Sequence, residues 1–75
     1  MSHHKNQINP KKLLHSKWTA VSVKNKEKHF LITDIEFDEL GQVLHCEIEA
    51  VRNKRAFEID WQELKESEKW RMGWH

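Results

Sequence analysis

Seventy-five residues with one cysteine, Cys46, and a net charge of +1 exclude a disulfide-stapled scaffold and a paired-cysteine zinc framework, and leave a core that must draw on large aromatic side chains. No apolar stretch is long enough for a signal peptide or a membrane span, so the expected setting is soluble, reducing and cytoplasmic. The charge is unevenly spread: residues 1–28 carry seven lysines against Glu27 alone, for +6, while residues 29–75 carry six basic and eleven acidic side chains, for −5, so a basic leader joins an acidic body.

Residues 1–14 are polar and lysine-rich, broken by Pro10, with Ile8, Leu13 and Leu14 as apolar anchors. A flexible basic arm is expected there, docking near Leu13 and Leu14, ahead of a single domain over residues 15–75. The β-branched run from Lys17 to Val23 reads as a first strand, closed by the polar turn Lys24-Asn25-Lys26-Glu27. Its inward face is open: Trp18 and Ala20 point one way, Thr19, Val21 and Val23 the other.

The second strand, about His29 to Phe37, places Leu31, Thr33, Ile35 and Phe37 on one face but Phe30 and Ile32 on the other, the pattern of a central strand or a bulge. Asp38-Glu39-Leu40-Gly41 supplies a turn with Gly41 at positive φ in a three-residue loop. In the third strand Leu44, Cys46, Ile48 and Ala50 alternate with His45, Glu47, Glu49 and Val51, one apolar face and one acidic. Arg52-Asn53-Lys54 is a short turn in which Asn53 takes the left-handed conformation. A fourth strand follows from Arg55 to Ile59, with Phe57 and Ile59 inward.

Asp60-Trp61-Gln62-Glu63 has a capping-box pattern, Asp60 accepting from the Glu63 amide, so a helical turn starts there. Ser67 caps another short turn through Trp70, ended by Gly73. Trp74 either shares a helical face with Trp70 or leaves in extended form. The expected fold is therefore mostly β: a small antiparallel meander of about four to five strands, curled into an SH3-like or Tudor-like barrel or half-barrel with a short C-terminal helical turn. That likeness is to a fold and carries no function.

Lys12-Leu13-Leu14-His15-Ser16-Lys17-Trp18-Thr19-Ala20-Val21, then Glu27-Lys28-His29-Phe30-Leu31, and Ile59-Asp60-Trp61-Gln62-Glu63-Leu64 through Lys69-Trp70-Arg71-Met72-Gly73-Trp74 resemble a family of small Trp-rich bacterial proteins of unknown function. The resemblance implies a bacterial cytosolic protein and no particular reaction.

His15, His29, His45 and His75 lack the close spacing of a finger or a helical pair, and His45 and Cys46 are adjacent on a strand and so face opposite ways. No metal site is expected. Cys46 falls in the inward set and reads as a small hydrophobe rather than a nucleophile. Asp34, Glu36, Glu47, Glu49 and Glu58 gather on one outer face, with Arg52, Lys54 and Arg55 as neighbours. Without a phosphate loop or a nucleophile–base pair beside them, neither an enzyme nor a cofactor nor a small-molecule substrate is expected.

The leading expectation is a non-enzymatic module that binds another protein through Trp18, Trp70, Arg71 and Trp74, because tryptophan and arginine dominate such sites. Nucleic-acid binding through Lys11, Lys12, Lys17, Lys26, Lys28, Arg52, Lys54 and Arg55 is the alternative. Trp18 and Trp61 also suit a structural role, and Trp70 and Trp74 could seal the open end of the barrel.

Overall fold

The computed structural model describes residues 5–75. The first four positions of the expected arm lie outside the described residues. From Lys5 onward the chain is laid along the domain: the Asn6 side chain donates to the carbonyls of Leu64 (2.7 Å) and Trp70 (2.8 Å). A 3-10 turn over Pro10–Lys12, capped by Asn9, then delivers Leu13 into the core. Leu14, its expected companion anchor, stays exposed.

Five strands follow: β1 (Lys17–Lys24), β2 (Glu27–Phe37), β3 (Val43–Ala50), β4 (Arg55–Glu58) and β5 (Trp70–Met72). All neighbours are antiparallel, in the order β4-β3-β2-β1-β5. β1 to β4 form a meander of hairpins. A 3-10 turn over Trp61–Lys65 then carries the chain back so that β5 pairs with β1. Phe57 on β4 and Trp70 on β5 both meet the ring of Phe30 on central β2 edge to face, at 6.3 and 5.1 Å. Two edge strands reaching one central ring make the open sheet a half-barrel.

Trp18 fixes the register of β1: it is 1% exposed, with Ala20 on the same face, while Val21 and Val23 remain in solvent. Burying the largest side chain in a small core outweighs burying two valines. The first hairpin closes through Asn25 and Lys26, both at positive φ (56° and 60°), the backbone of a two-residue turn whose twist matches its strands.

On β2 the pairing passes from Ile32↔Ile48 to Asp34↔Glu47, so Thr33 is the extra residue of a bulge. That bulge is why Phe30 and Ile32 point inward before it and Ile35 after it. A second irregularity, between Glu36↔His45 and Phe37↔Val43, leaves Leu44 as the extra residue on β3. Leu44, in phase with Cys46 and Ile48, is thereby turned out and is 65% exposed; Val43 packs on the core instead.

Gly41 takes φ of 81° in the β2–β3 loop, where the Asp38 carboxylate accepts from the amides of Leu40 and Gln42. In the β3–β4 turn the left-handed residue is Lys54 (φ 61°) and not Asn53. Asn53 has another task, its side chain accepting from the Arg55 amide and donating to Glu27. Asp60 caps its turn through the Gln62 amide, because in 3-10 geometry the Glu63 amide goes to the Asp60 carbonyl. The turn expected from Ser67 through Trp70 closes on the Glu66 carbonyl and stops short, Trp70 already belonging to β5.

The core lies on the concave face: Leu13, Trp18, Phe30, Ile32, Cys46, Ile48, Ala50, Ile59 and Leu64. Trp61 packs against it, half-buried, with Lys65 Nζ 4.7 Å from its ring centre.

Candidate functional site

The meander leaves a gap where its two edges face each other. Between β4 and the loop leading to β5 lies an open cleft of about 440 Å³, floored by Ala20, Ser22 and Phe30 and walled by Phe57 and Trp70. Phe57 and Trp70 are half-buried, Phe30 almost fully so. The far wall carries Glu63, Glu68 and Lys69, and Lys69 lies 3.5 and 4.0 Å from the carboxylates of Glu66 and Glu63.

At the turn end of the cleft sits Glu27, 3% exposed. It accepts from Arg55 Nε (2.8 Å) and Nη2 (2.7 Å) and from Asn53 Nδ2 (2.9 Å). Those bonds from Arg55 and then Asn53, reinforced by the guanidinium charge, hold its carboxyl down to about 2 against the opposing effect of burial. Glu27 ends the first hairpin turn while Asn53 lies within the third and Arg55 follows it, so this one carboxylate ties the two turns together. It brings Lys24, Lys26, Lys28, Arg52 and Lys54 to one end of the sheet. None of these five has an ion-pair partner among the described residues.

The basic residues singled out from the sequence therefore divide. Lys26, Lys28, Arg52, Lys54 and Arg55 come together. Lys11 and Lys12 sit on the first 3-10 turn, and Lys17 begins β1 at the end opposite Lys24. Arg55, placed by sequence beside the outer acidic face, turns instead to Glu27 and covers the Phe57 ring, its guanidinium 4.6 Å from the ring centre.

The tryptophans divide as well. Trp18 is excluded from any surface set by its burial, its indole N–H donating to Ser16 Oγ at 2.8 Å. Trp70 faces the concave side and the cleft. Trp74 lies on the convex side, because Gly73 at φ 83° breaks the strand alternation between them. There its indole N–H donates to the Phe30 carbonyl (2.9 Å) and its ring meets His29 (5.9 Å) and Lys17 Nζ (4.7 Å), leaving it 43% exposed. Arg71 is exposed opposite Thr19 on that same side. Trp70 and Trp74 thus face opposite sides of the sheet.

On the convex face Asp34, Glu47 and Glu58 stand directly across one another on three strands, which is unfavourable for like charges. His45 offsets this: Nδ1 lies 3.2 Å from Glu58 and Nε2 3.7 Å from Asp34. The Glu58 hydrogen bond first, then the charges of Glu58, Asp34 and Glu36, raise its pKa above the ordinary imidazole value although burial opposes it. Single ligand-capable atoms of Asp34, Glu36 and His45 come within 4.8 Å of one another, a grouping that no spacing within one segment could have shown.

Cys46 is buried beneath this face, and desolvation, then the charges of Asp34 and Asp60, push its thiol up to about 11. With so little thiolate and no access, the folded protein should not react with Ellman's reagent at pH 8 on a timescale that modifies it fully in urea. Equal rates in both would show that the β3 face is open.

Glu27 is the residue of this candidate site that sequence reasoning passed over. Its signal was its isolation: the only acid among seven lysines, placed at the end of a hairpin turn. A family model described as Tryptophan-rich protein (DUF2389) matches residues 16–75, a span holding all four tryptophans. No curated protein and no solved structure matches the chain.

Proposed function

Since the chain belongs to the Tryptophan-rich protein (DUF2389) family, a description that names composition and no reaction, we propose from its surface that it is a non-enzymatic module that docks a segment of another protein in the cleft between β4 and β5. The observation that supports this is the cleft's lining: half-exposed Phe57 and Trp70 flank buried Phe30 in an open groove. Partly desolvated aromatic rings on a concave surface gain more from a partner side chain than rings on a flat one do. A cytoplasmic setting is part of the same reading, supported by a single cysteine that is free and buried, and a bacterial one rests on the family resemblance alone.

Ser22 is exposed on the floor of the cleft, so Ser22→Arg fills the groove without removing core volume. Capture from native-host lysate should recover a nuclease-resistant protein with the wild type and lose it with Ser22→Arg at an unchanged unfolding midpoint. Retention by the variant would place docking elsewhere. Nucleic acid is the second reading, favoured by the convergence of Lys26, Lys28, Arg52 and Lys54 at one end, and it predicts a captured complex that nuclease destroys.

A further inference from the structure

The cleft and the basic end are continuous, since Lys24, Asn25 and Arg55 line the one and belong to the other. Glu27, the carboxylate that lies between the two turns, is already spent on Arg55 and Asn53. A group entering the cleft from the turns therefore passes Lys24 on its lining, with Lys26, Lys28, Arg52 and Lys54 exposed on and beside the two turns, and none of the five has an ion-pair partner among the described residues. It then reaches an apolar floor. We infer that the occupant of the cleft is an acidic segment of a partner protein, an extended peptide in which Asp or Glu residues adjoin one large aliphatic or aromatic anchor, the anchor seated between Phe57 and Trp70 and the carboxylates lying against the basic turns. This rests on the cleft being the docking site.

Three features favour a peptide over a single-stranded nucleic acid, the other polyanion with flat apolar parts. Base stacking needs free aromatic faces, but Phe30 is buried and the Phe57 ring is covered by Arg55. The opposite wall carries Glu63 and Glu68, and the convex face on the other side of the sheet carries the row Asp34, Glu47, Glu58 across β2, β3 and β4. A phosphate chain running past the turns would meet acidic surface in both directions. A short acidic stretch ending in an anchor would not. Charge complementarity of this kind raises specificity and association rate more than bare affinity, and the apolar anchor supplies the rest.

A displayed library of random short peptides, selected on the full-length protein and counter-selected on Ser22→Arg, tests this. The expected result is enrichment of Asp and Glu beside one large apolar residue. A selected peptide should bind about tenfold or more weakly to Lys26→Glu/Arg52→Glu/Lys54→Glu, whose three sites are all exposed, and weaken similarly when its own acids become amides. Enriched peptides that are neutral or basic, or that bind the triple variant equally well, overturn the acidic assignment and leave the cleft as the docking site. If no peptide distinguishes wild type from Ser22→Arg, both the assignment and the cleft fall. Displacement of the peptide by an equimolar thymidine oligonucleotide at moderate salt overturns the assignment in favour of nucleic acid.

Discussion

Trp18→Ala is expected to lower the unfolding free energy by about 3–5 kcal/mol, the range for truncating a buried aromatic side chain in a packed core. Trp18 is the largest of the fully buried side chains, packed where β1 pairs with Phe30 on β2 and Met72 on β5. Its removal leaves a void that strands on both sides line. Stability of roughly 0.05–0.15 kcal/mol per residue gives a chain of this length about 4–11 kcal/mol in all, so at the lower end of that range the variant would lie near its unfolding midpoint in plain buffer. Trp74→Ala should cost far less, since that ring is nearly half exposed and rests on His29 and Lys17 at the surface. Urea titrations followed by far-ultraviolet circular dichroism compare the two without relying on tryptophan emission. Equal losses would mean that Trp18 is not the centre of the core.

The second large effect is a dependence on acidity that traces to Glu27. Its carboxyl sits at about 2 in the folded protein against 4.5 ordinarily. A group whose folded value is depressed stabilises the fold fully above the unfolded value and loses that contribution as pH falls through the folded one. The contribution of Glu27 should therefore be complete at neutral pH, begin to fail near pH 4.5, and be gone below about pH 2. Glu27→Gln removes it at the outset and sets an amide N–H against the Arg55 guanidinium. Wild type should be clearly the more stable at pH 7, and the gap should narrow steadily on acidification as the wild-type carboxylate protonates. The other carboxylates titrate in both proteins, so the difference between the two curves isolates this one. Parallel curves down to pH 2 would remove the clamp from the account of the fold.

What could be read from the sequence, and what could not, follows from how far apart the deciding partners lie. The alternation of Cys46, Ile48 and Ala50 is local and survives intact in β3. Leu44 breaks the same pattern because its exposure depends on an extra residue against β2, which no alternation within β3 reveals. The inward face of β1 was undetermined for a related reason: Trp18 with Ala20 and Val21 with Val23 are comparable apolar sets until distant Leu13 and Leu64 join the core on the Trp18 side. The positive φ of Gly41 is a property of the residue, whereas that of Lys54 is imposed once the Asn53 side chain is drawn to Glu27. The cleft itself needed the whole fold, since Phe57 and Trp70 lie at opposite edges of the sheet and meet only through its curvature.

The short edges of that sheet have a consequence for the protein at high concentration. β4 spans four residues bracketed by Arg55 and Glu58, and β5 spans three, including exposed Arg71. An uncovered strand recruits other chains when it is long, flat and apolar. Here each edge strand offers few backbone groups, beside charged side chains, to template a neighbour. The docking proposed for the groove is compatible with such borders, because a segment held by side chains asks nothing of the strand edges, whereas a copy extending the sheet, strand upon strand into a fibre, depends on them.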